Sequence, residues 1–200
     1  MAGIAMDVPT ILDEVRKDRS FYEESGGGIT VSGGEPVLQH AFLLELLTAA
    51  KSEGIHTVLE TAGNYPYSHL EKQLPYLDLV LYDLKLATPT LSTHYIGNDG
   101  HRIFENLRNL AQTKTPIAVR TPVIGGVNDN PDEIRKLAQF IGDLKPVEYY
   151  ELMPYHRMGI RKRLSLGWNA ETNFSIPEKG VLKRLANIAR EYVEVVKPEE

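Results

Sequence analysis

The chain contains no cysteine. That excludes disulfides, thiolate metal sites and cysteine nucleophiles from its 200 residues. It also lacks a long apolar run. The longest strongly apolar stretch, Ala41–Ala50, is interrupted by Glu45 and falls short of a membrane span. Met1–Asp7 has no basic flank of the kind a signal peptide carries, so the cytoplasm is the expected location. There is no surplus of positive charge. A net charge of −5 and an isoelectric point near 5.7 argue against nonspecific nucleic-acid binding. Matching repeats and low-complexity linkers are absent as well. What remains is an ordinary globular composition, 42% hydrophobic and 24% charged. A single domain over residues 1–200 is expected, and a chain of this length buries roughly 70% of its unfolded surface.

Short β-rich runs alternate with longer helical patterns. The expected strands are Gly28–Ser32, Ile55–Glu60, Leu79–Leu84, Ile117–Ile124 and Val147–Leu152, with a short sixth at Val193–Val196. Between them run apolar stripes of helical period: Leu38/Phe42/Leu46/Leu47/Ala50, Ile103/Leu107/Leu110/Ala111 and Ile134/Leu137/Ala138/Ile141. Val8/Ile11/Leu12/Val15 predicts a helix near the start, and Leu182/Leu185/Ala189/Tyr192 one near the end. Asn130-Pro131-Asp132-Glu133 supplies an N-cap, a first-turn proline and an acidic third position. Ser175 and Glu178 have capping-box spacing, and Gly54 stands where a helix gives way to a strand. Such alternation implies an α/β fold with parallel strands and right-handed crossovers. The candidates are a doubly wound sheet and a (β/α) barrel. A complete eight-unit barrel needs roughly 250 residues, so a partial barrel fits five clear units better.

In parallel α/β folds the site forms at the C-terminal ends of the strands. Here those ends read Ser32-Gly33-Gly34-Glu35-Pro36, Glu60-Thr61-Ala62-Gly63, Asp83-Leu84-Lys85, Arg120-Thr121-Pro122 and Pro154-Tyr155-His156-Arg157. Gly33-Gly34 permits close backbone approach to a ligand, and Glu35 would accept hydrogen bonds from an ammonium group. The plainer alternative is a glycine turn before a helix. Asp83 and Lys85 share a strand face, either as a surface ion pair or as part of a pocket mouth. Arg120 interrupts an apolar strand and needs an anion or a carboxylate such as Glu60. His156 reads either as a structural histidine or as a titrating group of the site. His40, His56, His69, His94 and His101 show no HExxH-type spacing, and no metal site is expected. Arg157, Arg161, Lys162 and Arg163 read as a solvated basic loop or an anion contact. Both signs of charge at one mouth suit a zwitterion with an ammonium and a carboxylate, such as an amino-acid-derived cofactor.

Four motifs, in order over about Ser25–Gly167, resemble a known family. Gly27–Pro36 (GGITVSGGEP) resembles the GGE strand of radical S-adenosylmethionine enzymes, in the form found in activating enzymes of glycyl-radical enzymes such as the pyruvate formate-lyase activating enzyme. Leu81–Lys85 is similar to their D-[LI]-K strand. Arg120–Asp129 resembles their R-x-P-[LV]-I-P-G-x-N-D segment, with Gly126 at a proline position. Glu151–Gly159 resembles their E-L-[LM]-P-Y-H-x-x-G segment.

The resemblance implies a partial (β/α) barrel of the radical SAM type, lacking its first strand and holding S-adenosylmethionine at its mouth. On that basis Gly33, Gly34 and Glu35 hold the methionine amino group. Lys85 and His156, the two residues assigned to catalysis, reach the methionine carboxylate, with Asp83 beside them. Arg120 lies near the cofactor, and Glu60 and Thr61 lie near the methionine end. The implied activity is reductive cleavage of S-adenosylmethionine and abstraction of hydrogen from a glycine of a partner, the glycyl-radical enzyme. A flavodoxin or ferredoxin is the expected electron donor. The family's Cys-x3-Cys-x2-Cys loop, which binds a 4Fe–4S cluster, has no counterpart in this cysteine-free chain. The chain is therefore expected to be a truncated, cofactor-binding portion of an activase, inactive by itself. The alternatives are a catalytically dead binding or regulatory module and a radical-independent barrel lyase using Lys85 as an amine nucleophile. An unpaired edge at Ile29–Val31 is expected either to be shielded by Met1–Asp7 or to self-associate.

Overall fold

A computed structural model describes residues 3–145, 147–157, 159, 164, 167 and 174–198. Its centre is a six-stranded sheet: β1 (Gly28–Val31), β2 (His56–Thr61), β3 (Leu79–Asp83), β4 (Ile117–Val123), β5 (Val147–Pro154) and β6 (Val196–Pro198). All neighbours are parallel and the spatial order is the sequence order, β1 to β6. That order decides between the two candidate architectures. A doubly wound sheet reverses direction at a switch point, whereas this sheet advances one way, as a barrel wall does.

An unreversed run of right-handed crossovers puts the helices on one face. These are α1 (Val8–Arg16), α2 (Arg19–Ser25), α3 (His40–Ser52), α4 (Tyr67–Glu71), α5 (Pro89–Tyr95), α6 (His101–Leu110), α7 (Pro131–Gly142) and α8 (Val181–Ala189). Strand alternation records the same asymmetry. Thr57, Leu59 and Thr61 of β2 and Val80 and Tyr82 of β3 are buried, while His56, Val58, Glu60, Leu79, Leu81 and Asp83 are only half-buried. Of the first set, Leu59, Val80 and Tyr82 pack into the main core with Leu43, Leu47, Leu107, Ile134, Leu137 and Leu185. Each such side chain contributes about 1.5–3 kcal/mol by leaving water. A smaller cluster joins Val8 and Leu12 of α1 to Leu46 and Ala50 of α3, beside β1.

Several expectations shift. The last strand starts at Val196, not Val193, because the Val193 amide bonds back to Ala189 and buries Val193 at the exit of α8. Pro198 is tolerated there because β6 is an edge strand. Leu38 does not join the α3 stripe. It lies in a 3-10 turn, Pro36–Gln39, whose tighter winding points it outward, and Leu43 fills the core instead. Ser175 caps no helix; α8 starts after Gly180, and Ser175 forms a two-way bridge with Gly125. The short helices α2, α4 and α5 went unread because their periods are too brief. Asn130 caps α7 through the Glu133 amide at 3.0 Å, as expected. Arg161, Lys162 and Arg163 lie outside the described residues, and Arg157 is exposed.

β1 is an edge, and among the described residues no strand pairs with its outer side. Residues 3–7 are exposed and form no strand, while Asp7 caps α1 through the Thr10 amide. Among the described residues no helix is long and apolar enough to cross a membrane.

At the N-terminal ends of the strands Asp78 ties three elements together. It accepts from Lys51 of α3 at 2.7 Å and from the Thr57 amide of β2 at 2.8 Å, and its own residue leads into β3. Burial pushes the Asp78 carboxyl up, but the Lys51 and Thr57 hydrogen bonds outweigh it and hold the group below its ordinary value of 3.8. A depressed folded value stabilises above the unfolded value and is lost as pH falls through the folded one. Asp78→Asn is therefore expected to cost about 1–2 kcal/mol at neutral pH in urea denaturation, with the difference from the parent shrinking below about pH 3. An equal cost at both pH values would mean that the charge is not the source.

Candidate functional site

The C-terminal ends of β2, β3 and β4 carry a line of four alternating charges. Arg120 of β4 lies beside Asp83 of β3 in register. Its guanidinium bonds to Asp83 Oδ1 at 2.9 Å and to Glu60 Oε1 at 2.9 Å, and the other Asp83 oxygen lies 3.2 Å from the Lys85 ammonium. The side chains of Arg120 and Asp83 are only 13% and 16% exposed, so neither charge is solvated by water alone. Burial pushes the Arg120 guanidinium down, but Asp83 and Glu60 more than offset it and hold it above its ordinary value. The two ends of the line reach solvent, Lys85 at 36% and Glu60 at 33% exposure, and Lys85 is the cationic one. Asp83 and Lys85 thus do form an ion pair, but as part of a larger array.

Glu35 and Thr61 have a different place. Thr61 follows Glu60 on β2, so its side chain points to the covered face and is 2% exposed. Its hydroxyl bonds to Glu35 Oε1 at 2.8 Å and shares a hydrogen bond with the Tyr65 hydroxyl at 2.9 Å. The other Glu35 oxygen accepts from the Ala62 amide at 3.0 Å. Glu35 therefore fastens the loop after β1 to the exit of β2. Burial among these groups pushes the Tyr65 phenol well up, so it stays neutral and donates or accepts as a hydroxyl.

Gly33 and Gly34, at φ +92° and +62°, are exposed, with open space where a Cβ would stand. They offer backbone groups to a ligand at the mouth. Gly63, at φ +74°, is required for another reason: a Cβ there would fall on the Tyr82 hydroxyl. His156 stands two residues past β5 and is exposed; among the described residues no hydrogen bond ties it to the charged line.

Two further residues of this region lie in the four motifs without a role assigned to them. Glu151 lies level with Arg120 in the β4–β5 register and is half-buried on the same face. The two-residue alternation Tyr149/Glu151/Met153 marks it in the sequence. Asn128, 1% exposed, bonds the Lys85 and Pro122 carbonyls; its place in the Arg120–Asp129 segment marks it in the sequence. A hollow of ≈ 490 Å³ opens at the opposite, N-terminal ends of the strands near His56, Leu79, Tyr149 and Lys197.

The mouth accepts a zwitterion by chemistry: a half-exposed ammonium for a carboxylate, exposed backbone at two glycines, and carboxylates for a cation. A 4Fe–4S cluster does not fit these 200 residues, which offer no thiolate.

Residues 2–141 match the description of the Radical SAM superfamily. The chain is 40% identical, over 95% of its own length and 62% of the relative's, to an isethionate sulfite-lyase activating enzyme of Oleidesulfovibrio alaskensis. It is 34% identical, over 80% of its length and 66% of the relative's, to a pyruvate formate-lyase-activating enzyme of Staphylococcus aureus. A crystallised domain of a pyruvate-formate lyase-activating enzyme from Bacteroides vulgatus superposes with a TM-score of 0.73, at 26% identity, over 87% of this chain and 99% of that one.

The paired charges make a direct prediction. Arg120→Met leaves Asp83 to Lys85 alone and Glu60 with no partner, and is expected to cost about 1–3 kcal/mol. Adding Glu60→Gln is expected to recover most of that loss, because the carboxylate left without a partner goes with it. Denaturation of both singles and the double decides it; simple additivity would show that the two groups do not interact.

Proposed function

Because the chain belongs to the Radical SAM superfamily, we propose that it is the S-adenosylmethionine-binding portion, one domain over residues 1–200, of an activating enzyme for a glycyl-radical enzyme. The observation that carries this reading is the line Glu60–Arg120–Asp83–Lys85 at the strand ends. It is supported by the names of relatives that activate lyases through the same fold. The half-exposed Lys85 ammonium receives the methionine carboxylate, held in place by Asp83. Exposed backbone at Gly33 and Gly34 takes the amino group, with Glu35 fixing their loop rather than reaching the ligand. Arg120 and Glu60 set the floor of the mouth, and His156 closes on the ligand from the β5 exit. In a complete activating enzyme, S-adenosylmethionine and a 4Fe–4S cluster would supply hydrogen-atom abstraction from a glycine of the partner enzyme; the residues here would hold only the S-adenosylmethionine. The electron donor, a flavodoxin or ferredoxin, and the partner belong to the same reading. This cysteine-free sequence offers no thiolate ligand for the cluster.

The second reading is a binding or regulatory module without catalysis, and the absence of cysteine favours it for the chain in isolation. A lyase using Lys85 as a free amine is disfavoured, because its nitrogen is engaged in an ion pair with Asp83 at 3.2 Å. The unpaired outer side of β1 is the surface on which a second copy would pair; sedimentation is expected to show dimers at rising concentration, and a monomer throughout would remove that part.

The test is calorimetry with S-adenosylmethionine. Binding is expected to be measurable and weak, and Lys85→Ala is expected to reduce affinity about tenfold, some 1.4 kcal/mol. Anaerobic reconstitution with iron and sulfide is expected to leave the chain colourless and silent in electron paramagnetic resonance. Affinity unchanged in Lys85→Ala, or a stoichiometric cluster surviving desalting, would overturn the assignment.

A further inference from the structure

Lys85 lies outside any strand, in the segment that leaves β3 after Asp83. A lysine side chain has about 2 kcal/mol of rotamer entropy, so its ammonium stays in one place only if the main chain beneath it is fixed. Four side chains do that fixing: Thr121 of β4, Tyr150 of β5, Glu133 of α7 and Asn128 of the loop between β4 and α7. The Thr121 hydroxyl donates to the Leu84 carbonyl at 2.5 Å and itself accepts from the Tyr150 hydroxyl at 3.0 Å. Glu133, 2% exposed, accepts from the Ala87 amide and from the Thr88 amide at 2.9 Å. Between these two anchors sits Asn128. Its amide nitrogen donates to the Lys85 carbonyl and to the Pro122 carbonyl, each at 3.0 Å, and its oxygen accepts from the Ile124 amide at 2.7 Å.

Both hydrogens of the Asn128 amide are thus spent on carbonyls from two different strand exits. Nothing else among the described residues bonds the Lys85 main chain to β4 through a side chain. We propose that Asn128 is a positioning residue of the mouth: it fixes the Lys85 main chain and so places the ammonium for a carboxylate-bearing ligand. The inference deepens the cofactor reading and rests on it for the identity of the ligand, but the placement of Lys85 is testable without any ligand. Asn128 touches no reacting group; it acts through Lys85.

Reductive methylation with ¹³C-formaldehyde gives each lysine its own dimethylamino signal. In the parent chain the Lys85 signal is expected away from those of free surface lysines, because Asp83 pairs with it; Lys51, paired with Asp78 at the far end of the sheet, serves as an internal reference. In Asn128→Ser, which leaves room for a water, the Lys85 signal is expected to move to the surface-lysine position while the Lys51 signal stays. Thr121→Val, which removes the neighbouring anchor, is expected to move the same signal and serves if Asn128→Ser does not fold. Affinity for S-adenosylmethionine is expected to fall about tenfold, with 5′-deoxyadenosine, which has no carboxylate, unaffected. Asp78→Asn, destabilising at the opposite end, is expected to leave both readouts unchanged. A Lys85 signal unmoved in a folded Asn128→Ser or Thr121→Val chain overturns the proposal. If the parent chain does not bind S-adenosylmethionine, the cofactor reading falls and the lysine signal alone decides the role of Asn128.

Discussion

A guanidinium in the middle of an apolar parallel strand cannot be left unpaired, and much of this mouth follows from that one constraint. Arg120 is buried deeply enough that leaving it without a carboxylate would cost several kcal/mol. Asp83 answers from the neighbouring strand at the same register level, and Glu60 answers from one strand further. The three strands are thereby pinned to one another at their C-terminal ends, where backbone pairing is about to stop. Asp83 has a second oxygen, and Lys85 uses it. Both ends of the line, Glu60 and Lys85, are partly open to water, while Arg120 and Asp83 between them are not. Net neutrality within the line leaves the mouth able to receive a ligand that is itself neutral overall but carries both signs.

The same logic of tying exits together recurs without charge. Asn106, buried on α6, donates to the Gly63 and Tyr65 carbonyls at 2.8 and 2.7 Å and so holds the exit of β2. Asn128 does the equivalent for β3, and Glu35 joins the exit of β1 to that of β2. Each uses a buried polar side chain to satisfy backbone groups that the sheet has released. Loops that must carry ligand-facing groups are thus as well hydrogen-bonded as the strands that precede them. The opposite ends of the strands are knitted more simply, by Asp78 with Lys51 and Thr57.

The parts of this arrangement that were legible in the sequence are those written in short-range patterns. Strand positions followed from β-rich runs between helical stripes, and the cap at Asn130 followed from its spacing to Glu133. The four motifs pointed to the family, and residues 2–141 bear that out. The less legible parts depend on which way a side chain faces. Glu60 and Thr61 are adjacent, so only one can face the mouth; the burial of Thr61 follows from the phase of β2, which the apolar Val58 and Leu59 leave ambiguous. Glu35 reads as a ligand group because nothing local shows that Thr61 and Ala62, 26 and 27 residues away, will claim its oxygens. Leu38 fits a helical stripe until Pro36 starts a tighter turn in a different phase. Ser175 has the spacing of a capping box, but Gly180 permits the later helix start.

The position of Glu35 changes how an ammonium would be held. Its carboxylate accepts from a hydroxyl and from two main-chain amides, so turning it toward a ligand would strip the first two exits of their link. Leaving those donors unsatisfied costs about 1–3 kcal/mol each, more than one solvent-exposed ion pair returns. The carboxylate is better kept where it is, with the ammonium met by backbone carbonyls around Gly33 and Gly34. Their left-handed conformation is open to solvent and free of side chains. The acidic residue of the GGE sequence then works by shaping the loop on which those carbonyls sit. Lys85 stands in the same relation to Asn128: in both places the group that meets the ligand is exposed, and the group that fixes its position is buried one layer below.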